Sequence, residues 1–158
     1  MLFLVFQIGT ERYALEASRI VEVVPLLAVK TIPGAPQGFA GIINYRGRPV
    51  AAIDLRQLTS GEPASEWLST RIIIVKYSDD RGGEHLVGLI AEQATQMLRK
   101  DPGEFADTGL RYAGAPYLGP ILLDEAGAIQ WIKSEQLLSD SFRQLIFSDS
   151  AQLAHDSN

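Results

Sequence analysis

The chain has 158 residues, 46% apolar and 21% charged, which suits one domain or two small subdomains around a real core. Its net charge of −5 argues against a general binder of nucleic acid or anionic membranes. It has no cysteine, which excludes disulfides, cysteine–zinc sites and thiol nucleophiles and is compatible with a reducing cytoplasm.

The opening MLFLVFQIG has no basic n-region, and Glu11 and Arg12 follow at once, so it reads as a buried first strand rather than a signal peptide. Gly9-Thr10-Glu11 is the turn of a hairpin between Leu2–Ile8 and Arg12–Leu15. Ala17–Arg19 suits a single helical turn. Ile20–Val24 reads as a strand with Glu22 set between valines. Pro25, Pro33-Gly34 and Pro36 then break the chain into an irregular connection. Ala40–Tyr45 and Pro49–Ile53 form the next strand pair across Arg46-Gly47-Arg48. Asp54 is a cap for a short helix over Leu55–Thr59.

The polar stretch Ser60–Ser69 is a loop between halves. Arg71–Tyr77 and Glu84–Ala91 are strands around the turn Asp79–Gly83, and Ala94–Arg99 is a further strand. Asp101–Asp107 is a loop or one helical turn, with Pro102 suited to its start. Tyr117–Leu123 and Ala128–Lys133 flank Asp124–Gly127. Ser134 then caps a final helix whose Leu137, Leu138, Phe142, Leu145 and Ile146 share one face. The last ten residues are a polar, frayed tail. No run reaches the ~18 apolar residues of a membrane span, so the expectation is a soluble, cytoplasmic protein.

The halves echo each other with a period of about 75 to 80 residues, too long for a solenoid and suited to a duplicated subdomain. Gly47–Leu58 matches Gly127–Leu138 without a gap: glycine turn, strand, capping residue, short helix. About five short strands per half point to paired small barrels, and by length alone a single sandwich stays open.

The chemistry-bearing residues favour recognition over catalysis. Asn44, Arg46 and Arg48 crowd a hairpin tip, and arginine does not titrate near neutral pH. Arg46, beside Asn44 and before a glycine, is placed for a local carboxylate or carbonyl to hold it, and strand alternation allows Asn44 and Arg46 one side. RGRP also matches the core of a minor-groove AT-hook, but apolar strands flank it in an acidic chain, against nucleic-acid binding. His85 and His155 lie far apart, with no HExxH, GxSxG or phosphate-loop pattern, so no metal, cofactor or catalytic residue is assigned. Ile20, Val21, Val23, Val24, Leu26 and Leu27 are more apolar residues than one small barrel can bury, and such a surplus marks an interface in part.

These residues carry a family resemblance. Tyr13-Ala14-Leu15, Ile20-Val21-Glu22-Val23, Pro33-Gly34-Ala35-Pro36, Gly41–Arg48 (GIINYRGR), Ala52-Ile53-Asp54-Leu55 and Val87-Gly88-Leu89-Ile90 resemble, in combination and order, the CheW-like domain of bacterial chemosensory adaptors. The likeness implies an all-β fold: two interlocked five-stranded SH3-like barrels with short helices and a C-terminal helix. It implies one domain over 1–140, with subdomains near 10–65 and 70–134 and a shared N-terminal strand. It implies a non-enzymatic adaptor between the cytoplasmic tip of a methyl-accepting chemoreceptor and the regulatory domain of a CheA-type histidine kinase, recruited to receptor arrays without inserting in the membrane. The family's functional positions fall on Ile20, Glu22, Gly41, Asn44 and Arg46, with Arg46 and a groove facing the receptor and Glu22 nearer the kinase. A regulatory or competing domain that binds one partner is the alternative, and an enzyme a more distant one. Tyr45, Ala51-Ala52 and the second-half strand AIQWIKS depart from the family pattern. That strand and its PYLGPILLDEAG lead-in resemble accessory adaptors such as Wsp-type members.

Overall fold

The computed structural model describes residues 1–111 and 113–147. The predicted polar tail, His155 included, lies outside them.

The chain folds as ten strands in two sheets that share one strand. β1 (Leu2–Ile8) turns through Gly9 and Thr10 into β2 (Glu11–Glu16), and the turn at Ala17–Arg19 leads to β3 (Ile20–Pro25). The connection after Pro25 holds a two-residue strand, β4 (Val29–Lys30), too short to leave a sequence signal. β5 (Phe39–Tyr45) and β6 (Arg48–Asp54) form the arginine hairpin. Asp54 caps α1 (Leu55–Ser60): its Oδ1 accepts the Arg56 and Gln57 backbone N–H groups at 3.1 and 3.2 Å. β7 (Arg71–Ser78) and β8 (Glu84–Arg99) follow, then β9 (Leu118–Asp124) and β10 (Gly127–Ile132).

Glu84–Ala91 and Ala94–Arg99, read from the sequence as two strands, are one strand of 16 residues, β8. Its first half pairs with β7 and β6, and its second half with β1. The sheets change hands near Gln93, which holds a left-handed φ of 50°. A bend at one residue lets a single strand serve both sheets, and periodicity reads that bend as a break. The first sheet runs β3-β7-β8-β6-β5-β4 and the second β8-β1-β2-β10-β9. The chain's first strand thus belongs to the sheet built by its last two, which interlocks the halves. The all-β expectation holds. Two sheets sharing a strand replace the single sandwich, and neither sheet closes on itself among the described strands.

The main core joins both sheets through Phe6, Leu15, Ile53, Ile73, Leu89 and Ile132. A second cluster under the arginine hairpin holds Ile43, Tyr45, Val50, Ala52, Ile72 and Ile74. A third packs Phe3, Phe105 and Trp131 with ring centroids 4.9–5.2 Å apart. The divergent second-half strand therefore builds core: Gln130 donates to the Gly119 carbonyl at 3.0 Å, and Lys133 lies 3.6 Å over the Trp131 ring. Of the six crowded apolar residues after Arg19, Ile20 and Val23 pack on the main core and Val24, Leu26 and Leu27 on the second cluster. Val21 stands out at 44% exposed.

The C-terminal segment differs from its prediction. Ser134–Gln136 is a separate 3₁₀ turn, and Ser134 is buried without capping it. The helix over 140–147, α2, starts after Ser139, whose hydroxyl accepts the Phe142 N–H at 3.3 Å. Leu137 and Leu138 both enter the core, as the shared apolar face implied, but from the bend between the 3₁₀ turn and α2. Phe142 still faces inward and stacks on Phe39.

The internal echo is real but displaced by one residue. Tyr45 pairs with Arg48 to close the first hairpin, and Asp124 with Gly127 to close the second. Gly127 thus stands where Arg48 does, not Gly47. Lys133, not Ser134, precedes the helical turn as Asp54 does. Glycine attracts the match because Gly47 and Gly127 both take positive φ, at neighbouring positions of unlike turns.

Candidate functional site

The β5–β6 turn is built by its own residues. Asn44 Oδ1 accepts the Gly47 N–H at 2.8 Å, which closes the turn locally. Arg46 takes φ 50°, so its side chain leaves the plane of the hairpin toward β3. There Glu22 receives it: Nη2 donates to Oε1 at 2.7 Å and to Oε2 at 2.9 Å, and Nε to Oε2 at 3.2 Å. Tyr45, between Asn44 and Arg46, points inward, and its hydroxyl donates to the same Glu22 Oε2. The Arg46 guanidinium carbon lies 5.6 Å from the Tyr45 ring centroid.

The sequence anticipates a local carboxylate or carbonyl that holds Arg46, and the group that does so is a carboxylate distant in the chain. Glu22 and Arg46 stand 24 positions apart in the chain, and they meet at the rim of the first sheet. The Arg46 side chain remains 70% exposed and that of Glu22 33%. Hydrogen bonds from Arg46 first, then Tyr45, hold the Glu22 carboxyl below the usual range. The same contact raises Arg46, and it raises the Tyr45 hydroxyl ahead of burial. Arg46 and Glu22 face water as a neutralised pair.

The other candidates separate. Asn44 is exposed and bonds to its own turn rather than to Arg46. Ile20 lies two residues before Glu22, but a register shift in the β3–β7 pairing falls between them, and Ile20 packs on the main core. Gly41 has a steric reason to be glycine. A Cβ there would lie 2.0 Å from the Lys30 carbonyl oxygen of β4, at φ 144°. Tyr45 is the residue that sequence reasoning missed; strand alternation, which turns it inward between two outward neighbours, is the signal that could have found it.

A shallow apolar groove adjoins the turn. Val29, Lys30, Ile42, Asn44, Gly47 and Pro49 line a cavity of about 530 Å³. A second cavity of about 270 Å³ shares Ile42, Arg48 and Pro49 with it and reaches Leu145 of α2. His85, which lines that second cavity, is satisfied: Nε2 lies 2.8 Å from Asp79 Oδ2, and its ring packs against Phe147 at 4.5 Å. Among the described residues no group of three His, Asp or Glu side chains is placed to hold a metal, and no helix is long and apolar enough to cross a membrane.

Two sheets sharing a kinked strand, with a salt-bridged turn at the rim of one, define an all-β module of two interlocked halves. The family model of the CheW-like domain matches residues 2–142, and the chain belongs to that family. It is 27% identical over 97 residues to the chemotaxis protein CheW of Helicobacter pylori, covering 61% of this chain and 56% of that protein. It is 27% identical over 96 residues to the chemotaxis protein CheW of Klebsiella aerogenes, covering 61% and 55%. The matches thus span somewhat over half the length of these curated relatives. The crystal structure of the scaffolding protein TtCheW from Thermoanaerobacter tengcongensis superposes with a TM-score of 0.75 at 25% identity, over 89% of each chain. The fold is accordingly the expected pair of interlocked SH3-like barrels, with an open strand path.

Proposed function

We propose that this chain is a non-enzymatic adaptor, one domain over 1–140, that couples the cytoplasmic tip of a methyl-accepting chemoreceptor to the regulatory domain of a CheA-type histidine kinase. It would act in the cytoplasm, at membrane-associated receptor arrays. Family membership and the likeness to a scaffolding protein support the reading. The observations that carry it to particular residues are the Glu22–Arg46 pair at the β5–β6 turn and the apolar groove that Asn44, Gly47 and Pro49 of the same hairpin line. Apolar groove surface supplies affinity, and a charged pair on the same hairpin sets orientation more than strength.

The test is titration of parent, Arg46→Ala and Arg46→Glu chains with a receptor-tip hairpin fragment and, separately, with a kinase regulatory domain. Weakened binding at an unchanged melting temperature supports a contact role for Arg46. Parent affinity in Arg46→Glu removes that role, and a large fall in melting temperature makes Arg46 structural. Binding of only one fragment by the parent makes the chain a competing or regulatory domain instead of a coupler.

A further inference from the structure

We propose that Tyr45 is a positioning residue for Arg46: its core-anchored hydroxyl fixes Glu22, and Glu22 in turn fixes the guanidinium offered to a partner. This rests on the adaptor reading and deepens it.

A free arginine on a hairpin tip has four rotatable bonds and loses that freedom when a partner engages it. Glu22 alone would restrain it weakly, because Glu22 is itself flexible and sits on β3, which pairs only with β7 among the described strands. Tyr45 differs from both. Its ring is buried with Ile43, Val50, Ile72 and Ile74, and a tyrosine has only two side-chain torsions. The hydroxyl is thus a fixed point at the edge of the second cluster. It bonds to Glu22 Oε2, the oxygen that also accepts Arg46 Nε and Nη2. The ring approaches the guanidinium as well, so Tyr45 touches both members of the pair.

The order of restraint therefore runs from core to surface: packed ring, phenolic oxygen, carboxylate, guanidinium. Arg46 Nη1 makes no hydrogen bond among the described residues. That nitrogen is the edge left for a carboxylate or carbonyl oxygen of the partner, at an orientation settled before binding.

Tyr45→Phe keeps the packed ring and removes only the hydroxyl. Affinity for the receptor-tip fragment, or for the kinase domain if Arg46 serves that face, is expected to fall about two- to tenfold, the range for one lost hydrogen bond. The double variant Tyr45→Phe/Arg46→Ala is expected to bind no worse than Arg46→Ala alone, because the hydroxyl acts through the arginine. NMR titration of Glu22 in Tyr45→Phe is expected to move upward toward the ordinary carboxylate value. Packing alone would not move that titration. Parent affinity in Tyr45→Phe, additive losses in the double variant, or an unmoved Glu22 titration would each overturn the proposal. If the parent binds neither fragment the adaptor reading fails, and the Glu22 titration together with the NMR order parameter of Arg46 Nε still decides whether Tyr45 positions the pair.

Discussion

Replacing Gly41 by alanine tests whether that glycine serves the fold or a partner. The added Cβ would stand 2.0 Å from the Lys30 carbonyl oxygen and 3.0 Å from Val29 Cγ1. The β4 carbonyl would have to retreat by about 1 Å to reach even a tight contact, and overpacking of this kind costs about 1–3 kcal/mol. The backbone at φ 144° adds strain of about 1–3 kcal/mol for a residue with a side chain. Together these predict a loss of about 2–6 kcal/mol, a large share of the roughly 5–15 kcal/mol that holds a domain folded. In a chain of this size that lowers the melting temperature by about 5–20 °C. Gly47→Ala is the control in the same hairpin: it has positive φ but nothing within 4 Å of its Cβ. It should cost only about 1–2 kcal/mol. Both are read by thermal melts and urea midpoints, with fragment titration alongside. If Gly41→Ala melts within about 2 °C of the parent yet loses partner binding, the steric account is wrong and Gly41 is a contact surface.

Three further outcomes follow from the geometry. Glu92 is 2% exposed, and Arg56 Nη1 reaches its oxygens at 3.2 and 3.3 Å, so Arg56→Ala should cost about 3 kcal/mol by leaving a buried carboxylate short of its partner. The Ser65 N–H still bonds to it, which keeps the loss at that lower end; a urea midpoint unchanged from the parent refutes the pairing. Asp124 is held below the usual range, first by its hydrogen bond from Arg12. A carboxyl depressed in the fold adds stability above its unfolded value and loses it as pH falls through its folded value. Melting temperature should therefore hold steady from about pH 8 to about pH 5 and fall below about pH 4, and Asp124→Asn should flatten that acid limb. Phe142→Ala should cost about 3–5 kcal/mol, because Phe142 carries the docking of α2 onto Phe39 and the main core. A loss under about 1 kcal/mol would mean that α2 is not integral to the domain.

The amino-acid sequence by itself determined what local chemistry controls. The Gly9-Thr10 turn, the Asp54 cap and the proline-led turn at Pro102 each follow from backbone preferences within a few residues. The echo between the halves and the weight on Arg46 were legible for the same reason: a turn, a strand and a helical turn repeat in order, and a fixed cation stands at a hairpin tip. Only the tertiary structure decided what distant residues do to one another. A left-handed Gln93 made one strand of two and joined the sheets. A carbonyl of β4 gave Gly41 a packing reason to be glycine, which its place in the sequence pattern did not disclose. Tyr45 registered in the sequence only as a departure from a pattern. Its hydroxyl acquires a role because β3 carries Glu22 past it, and periodicity holds no record of which strand lies alongside.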